Sequence, residues 1–256
     1  MNWIGRFGHR YRGGRRPRGS SRGHRIIRRA RNIQILSVEA LLRWRHPKLG
    51  FISPGRFIPL AESIGLIAPL GEFVLRQACR DAVEWPDHVK VAVNLSPVQF
   101  RDPRLTEIVS AALADAGLAP QRLEAEVTES VLLEDEPEYV ALLHGLQIMG
   151  IHVALDDFGT GYSSLSYLKK FPFNKIKIDR TFVQDIENDQ GSRTIVSAII
   201  GLARALQMTT TAEGVETEQQ LDMMRAAGVT LVQGYLLGRP RPASGLKFGI
   251  ELHVAV

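Results

Sequence analysis

The sequence predicts an α/β fold with a mostly parallel sheet, closed as a (β/α)8 barrel. Three observations carry that prediction. Short β-like runs alternate with helical runs from Val38 onward, the texture of repeated βα units. The chain has 256 residues of which 45% are hydrophobic, enough for one core of barrel size. Polar residues recur near the ends of successive strand candidates, and a barrel assembles its site at one rim from the ends of many strands.

The first 36 residues contain 11 Arg and no Lys, Asp or Glu, so a net charge of +5 for the whole chain leaves −6 for residues 37–256. Residues 1–36 are therefore read as a disordered or aberrant Arg/Gly-rich segment, and 37–256 as the folded domain. A nucleic-acid tether in that segment is disfavoured, because its aromatics are sparse and Arg/Gly composition is weak evidence by itself. An acidic domain acting on an anionic substrate needs cations to offset repulsion.

Strand candidates follow at 37–44, 89–96, 123–130, 151–157, 174–179, 209–215 and 230–235. Helical patterns lie between them at Phe73–Trp85, Leu105–Ala116, Tyr139–Met149, Thr194–Gln207 and Glu218–Ala227. Gly117 and Gly228 stand just past two of these helices, where a left-handed residue ends a helix. Seven strands fall after residue 36, and the only further candidate is the weak run "NIQILS" at 32–37. The first barrel strand is thus expected to be missing or altered, which would expose two sheet edges. The lone Cys79 has no disulfide partner and reads as a core residue of a reducing compartment. No apolar run reaches membrane-spanning length and the N-terminus lacks an apolar h-region, so the expected location is the cytoplasm.

The strand ends carry one kind of chemistry. Glu39 and Arg43 lie on the first candidate, Asn94 and Ser96 on the second, Glu126 and Glu129 on the third. Asp156 and Asp157 end the fourth, Lys177 and Asp179 the fifth, Glu213 and Glu216 the sixth, and Gln233 lies on the seventh. Asp, Glu and Asn oxygens are hard ligands suited to Mg2+ or Mn2+, and no Cys cluster or His pair at helical ligand spacing competes. Adjacent carboxylates can stay ionised when cations sit beside them, and a pair of such ions suits phosphodiester hydrolysis. Lys177 could orient the attacking water, Arg43 could grip a phosphate, and Gly159 and Gly161 would let the loop turn sharply. Each residue also has a plainer reading. Asp156-Asp157 could be turn and capping residues, Asn94–Pro97 could cap the next helix, and Arg43 could stack on Trp44. His46, His144 and His152 have no convincing partners and read as core or surface residues. The functional reading is a joint one, since six strand ends would each need an oxygen ligand or a cation by chance.

Eight ordered motifs then carry a resemblance: "EALLRW" (39–44), "FIPLAE" (57–62), "NLSPVQF" (94–100), "EVTES" (126–130), "DDFGTGYSSL" (156–165), "KIDRTFV" (177–183), "AEGVET" (212–217) and "QGYLLGRP" (233–240). The chain resembles the EAL-domain family of cyclic di-GMP phosphodiesterases over about Val38 to Pro242. The resemblance implies a modified TIM-like barrel with one antiparallel strand, and hydrolysis of cyclic di-GMP to linear pGpG with two Mg2+ or Mn2+ ions. It makes Glu39, Asn94, Glu126 and Asp156 ligands of one metal, and Asp156, Asp157 and Glu213 ligands of the second. It gives Lys177 the nucleophilic water, Arg43 a substrate phosphate, and Asp179 and Gln233 the substrate pocket. Glu129 would steady the loop after Asp157, which borders the family's homodimer interface, and Glu216 would be a further acidic residue beside the site. The family's usual first-strand "YQP" motif is not found in residues 1–36, and with it goes a pocket glutamine. The alternative expectation is a non-catalytic cyclic di-GMP receptor, built on a disrupted first strand.

Overall fold

The computed structural model describes residues 20–30, 34–133, 137–160, 168 and 170–248. Residues 1–19 of the Arg/Gly-rich segment, and Gly161 with the rest of 161–167, lie outside them.

The strands are β1 (Ser20–Arg29), β2 (Ile35–His46), β3 (Gly50–Ile52), β4 (Lys90–Asn94), β5 (Leu123–Thr128), β6 (His152–Phe158), β7 (Lys175–Ile178), β8 (Thr209–Ala212) and β9 (Leu231–Gln233). They form one sheet in the order β1-β9-β8-β7-β6-β5-β4-β2-β3, and an additional β1–β2 pairing closes it. The barrel therefore has eight strands, with β3 appended as a hairpin partner of β2. From β2 through β4 to β9 neighbouring barrel strands run parallel, whereas β1 is antiparallel to both of its neighbours.

The first strand is thus present, which corrects the expectation of a missing or altered stave. It lies inside the segment read as a tail. "NIQILS" is not the extra strand, because Ile35 to Ser37 open β2. β1 pairs with β2 from Ser20↔Trp44 to Arg28↔Ile35 and with β9 at Ile27↔Gln233 to Arg29↔Leu231. Two further hydrogen bonds, His24 N to Arg241 O at 2.7 Å and Arg241 N to His24 O at 3.0 Å, extend this closure.

The barrel is polar inside and apolar outside. Successive strand side chains point to opposite faces. One set (Val38, Ala40, Val91, Val93, Ala125, Val127, Val153, Leu155, Ile176 and Ile178) joins the hydrophobic core with the surrounding helices. The alternate set includes Glu39, Glu124, Glu126, Asp156, Lys175 and Lys177, all buried. Near the amino ends of the strands, Lys175 Nζ lies 2.6 Å from both Glu124 oxygens. Two residues further along each strand, Glu126 and Lys177 occupy the next interior layer.

Helices α1 (Pro54–Ser63) and α2 (Ile67–Val83) follow the β2–β3 hairpin, and α3 (Leu105–Ala116) follows β4. Then come α4 (Ser130–Leu133), α5 (Pro137–Ile148), α6 (Arg180–Gln184), α7 (Gln190–Ala205) and α8 (Glu218–Ala227). The predicted stops are found, with Gly117 at φ 70° and Gly228 at φ 88°. Cys79 is fully buried in α2, and burial pushes its thiol up to about 12.

Candidate active site

The site forms where the polar inner face reaches the carboxyl ends of the strands. Cross-strand registers bring the residues together: Glu39 lies opposite Ala92, Asn94 opposite Glu126, and Thr128 opposite Asp156. Lys177 is the hub. Its Nζ is 2.9 Å from Glu126 Oε1, 3.0 Å from Asp156 Oδ1 and 2.8 Å from Glu213 Oε1, and its side chain is 1% exposed. Burial alone would lower the Lys177 pKa, but Asp156, Glu126, Glu213 and Glu39 outweigh it and hold the ammonium well above the ordinary lysine range.

Glu39 and Glu126 are both buried, yet their carboxyls move in opposite directions. Glu39 Oε1 accepts from Asn94 Nδ2 at 3.0 Å and Oε2 from Gln233 Nε2 at 2.7 Å. Burial would raise its pKa, but Lys177, Arg25 and these two donors bring it below the usual range. Neither Glu126 oxygen has a hydrogen-bond partner of good geometry. Burial, opposed by Lys177 and reinforced by Glu39, Asp156 and Glu124, lifts its carboxyl well above the usual range. Glu213, just past β8, is pushed up to about 7 by burial, against the pull of Lys177 and with Asp156 and Glu39 adding to it.

Asp157 stands in the left-handed region at φ 53°, and its N–H donates to Asp156 Oδ1 at 2.9 Å. Its carbonyl accepts from Thr160 Oγ1 at 2.9 Å, so the plainer turn reading also holds here. Desolvation, Asp156 and Asp179 push the Asp157 carboxyl up to about 6. Asp156, Asp157 and Glu213 each offer an oxygen within 4.8 Å of the others.

These observations fit divalent cations. Five carboxylates (Glu39, Glu126, Asp156, Asp157 and Glu213) crowd around Lys177, with Arg25 and Arg43 the other cations acting on Glu39, so among the described residues negative charge exceeds positive here, and Glu126 Oε2 is buried without a hydrogen-bond partner. Hard oxygen donors around that excess of negative charge suit Mg2+ or Mn2+.

The remaining candidates surround this centre. Glu129 Oε1 accepts the Gly159 N–H at 2.7 Å, tying α4's entry to the turn after Asp157. Asp179 caps α6 through Thr181 N at 2.9 Å and Thr181 Oγ1 at 2.6 Å, and its carboxyl lies against Asp157. Gln233 is fully buried between Glu39 and the barrel wall. Arg43 is half-buried further along β2, where its Nη1 donates to Leu42 O at 3.1 Å. Ser96 caps the short 3-10 turn Pro97–Arg101, so the capping reading applies to Ser96 whereas Asn94 turns inward. Glu216 is exposed, and its N–H donates to Gln220 Oε1 at 2.7 Å. His46 Nδ1 accepts from Lys48 N at 3.2 Å and Leu49 N at 3.1 Å in the β2–β3 turn, a structural role. Arg25 was missed altogether, because it lies in the stretch read as a tail; its Nη1 is 3.8 Å from Glu39 Oε2.

An eight-stranded α/β barrel with an antiparallel first strand, and with carboxylates gathered at one rim around a buried lysine, defines a class of barrel proteins able to hold a metal ion at that rim. The chain belongs to the family described as the EAL domain, whose sequence model matches residues 26–240. It is 54% identical over 211 residues to the uncharacterized protein y4lL of Sinorhizobium fredii, covering 82% of this chain and 26% of that protein. It is 47% identical over 221 residues to the bifunctional diguanylate cyclase/cyclic di-GMP phosphodiesterase MucR of Pseudomonas aeruginosa, covering 85% of this chain and 32% of MucR. The chain thus spans about a quarter to a third of the length of these relatives. The solved structure of the MucR phosphodiesterase in complex with c-di-GMP superposes with a TM-score of 0.85 at 44% identity, covering 89% of this chain and 94% of that one.

Proposed function

We propose that the protein hydrolyses cyclic di-GMP to linear pGpG. The observation that carries this reading is the Lys177 ammonium between 2.8 and 3.0 Å from three carboxylates, at the rim of a barrel whose relatives include phosphodiesterases. Two Mg2+ or Mn2+ ions, when bound, would supply charge neutralisation for the attacking and leaving oxygens. Glu39, Asn94, Glu126 and Asp156 would hold one, and Asp156, Asp157 and Glu213 the other.

The chain's own groups would then act as follows. Lys177 would turn one N–H to the oxygen of the attacking water once the cations take up carboxylates that it now faces. Asn94 and Gln233 fix the Glu39 carboxylate from two sides. Glu129, through the Gly159 N–H, keeps Asp157 at the rim. Arg43 grips a substrate phosphate, and Asp179 and Gln233 line the nucleotide pocket. Water adds its oxygen to phosphorus and gives up a proton, one P–O bond of the ring breaks, and the freed ribose oxygen takes up a proton in exchange, so that one water is consumed and the linear dinucleotide results.

The receptor reading rested on a disrupted first strand. β1 closes the barrel, and that basis for it is gone. No helix among the described residues is long and apolar enough to cross a membrane. We place the working form in the cytoplasm as a homodimer, on the family resemblance alone.

The test is incubation with cyclic di-GMP in Mg2+ or Mn2+, followed by chromatography of the nucleotides. Linear pGpG should form, and Asp156→Ala should abolish it. Turnover retained in a well-purified Asp156→Ala protein would reject the ligand assignment.

A further inference from the structure

Arg25 lies opposite Glu39 in the antiparallel β1–β2 ladder, so both side chains leave the sheet on the barrel's inner face. Its Nη1 is 3.8 Å from Glu39 Oε2, a coulombic contact too long for a hydrogen bond. The same oxygen already accepts from Gln233 at 2.7 Å. The Arg25 Nε is buried without a hydrogen-bond partner, although the side chain as a whole keeps 26% exposure. A guanidinium carries five N–H donors in a rigid fork, and among the described residues the Nε–H of this one has no partner.

A second guanidinium stands close by. Arg43, whose Cα lies opposite Ser21, leans over Gly23, one inner position nearer Arg25. A Cβ on Gly23 would come within 3.5 Å of Arg43 Nε and 3.2 Å of Pro240 Cβ, so the glycine leaves the room that this lean occupies. Arg43 is near enough to feel Arg25: desolvation and then repulsion from Arg25 lower its pKa. Two half-buried cations on one inner wall, one with a spare Nε–H, beside an acidic ligand set are arranged for an anion.

We propose that Arg25 is a displaceable counter-cation: it holds Glu39 in the metal-free chain, yields it when the site is loaded with a divalent cation, and then joins Arg43 in gripping a phosphate of the nucleotide. The proposal rests on the metal-dependent reading above. It makes metal and nucleotide binding mutually reinforcing, because each takes one of the two partners of the Arg25–Glu39 pair.

The test titrates Mn2+ into the full chain by calorimetry without nucleotide, and separately titrates cyclic di-GMP with Ca2+ present so that turnover does not intervene. Arg25→Gln removes the competitor at Glu39 and should bind Mn2+ about fivefold tighter or more, since a unit charge near 4 Å matters strongly at a partly buried site. The same variant should bind the nucleotide about tenfold more weakly, the scale of one charge-assisted contact. Arg43→Gln should weaken the nucleotide and change Mn2+ affinity less than Arg25→Gln does, since Arg43 acts on Glu39 less directly. Thermal melts verify folding, and Arg25→Met, which keeps the apolar stem, replaces Arg25→Gln if the latter fails to fold. Unchanged Mn2+ affinity in the Arg25 variant overturns the proposal, and so does unchanged nucleotide affinity. If the wild-type chain binds Mn2+ but yields no linear product, the hydrolase reading falls while the Mn2+ comparison still judges Arg25.

Discussion

Without metal, this protein should become less stable as pH rises from 5 to 7.5, and Glu213 is the group that shows it most directly. Its carboxyl keeps its proton to about pH 7 in the folded chain, against an ordinary value of 4.5. The cause is burial among Asp156 and Glu39, only partly offset by Lys177. The folded state therefore binds more protons than the unfolded state between those two values. The resulting stabilisation is fully present below about pH 4.5 and is lost as pH climbs through 7. The span corresponds to about 3 kcal/mol at 1.36 kcal/mol per pKa unit, an order-of-magnitude figure for a buried group. Urea denaturation in EDTA at pH 5, 6, 7 and 7.5 measures it. Glu213→Gln should flatten the slope, and saturating Mn2+ should reverse it by favouring the ionised ligands. A metal-free stability that stays level over this range, or a slope that Glu213→Gln leaves unchanged, would refute the assignment of Glu213 as an interior acid that Lys177 only partly compensates.

Three further outcomes follow from the geometry. Lys175→Met strands the buried Glu124 carboxylate and should cost about 3 kcal/mol in urea denaturation, whereas the double change Glu124→Met with Lys175→Leu should stay within about 1–2 kcal/mol of wild type. Glu129→Ala removes the acceptor of the Gly159 N–H and should cost about 1–2 kcal/mol, with a loss of kcat that exceeds any rise in KM for cyclic di-GMP. Gly234→Ala places a Cβ 2.0 Å from Val215 O, so the loop after β8 must shift; a loss of about 1–3 kcal/mol and a drop in Mn2+ affinity are expected by thermal melt and calorimetry.

The carboxylate ring was legible because its members interrupt apolar strands. Glu126 between Ala125 and Val127, and Lys177 between Ile176 and Ile178, stand at inward positions that hydrophobic packing does not explain. Helix stops at Gly117 and Gly228 were legible because a left-handed cap favours glycine. Helix starts were legible at Leu105 and Glu218 and not elsewhere. The apolar pattern opens at Thr194, whereas the helix begins at Gln190, where Asp189 accepts the Gly191 and Ser192 N–H groups across a polar first turn. β1 was hidden for a different reason. Its inner face carries Arg25 and its outer face His24, so period-two apolar alternation never develops, and an extended ladder with β2 supplies the order instead. The ion pair of Glu124 and Lys175 joins residues 51 apart, a closeness set by barrel curvature and invisible to local pattern.

The separation of faces in this barrel has a consequence for substitutions. What keeps the chain folded is greasy contact on the exterior of the staves, against the helices. The residues proposed to perform chemistry project the other way. A substitution that silences the centre, such as loss of Asn94, therefore need not unravel the scaffold. On the proposed function, turnover and folding of this chain would rest on opposite faces of the same staves.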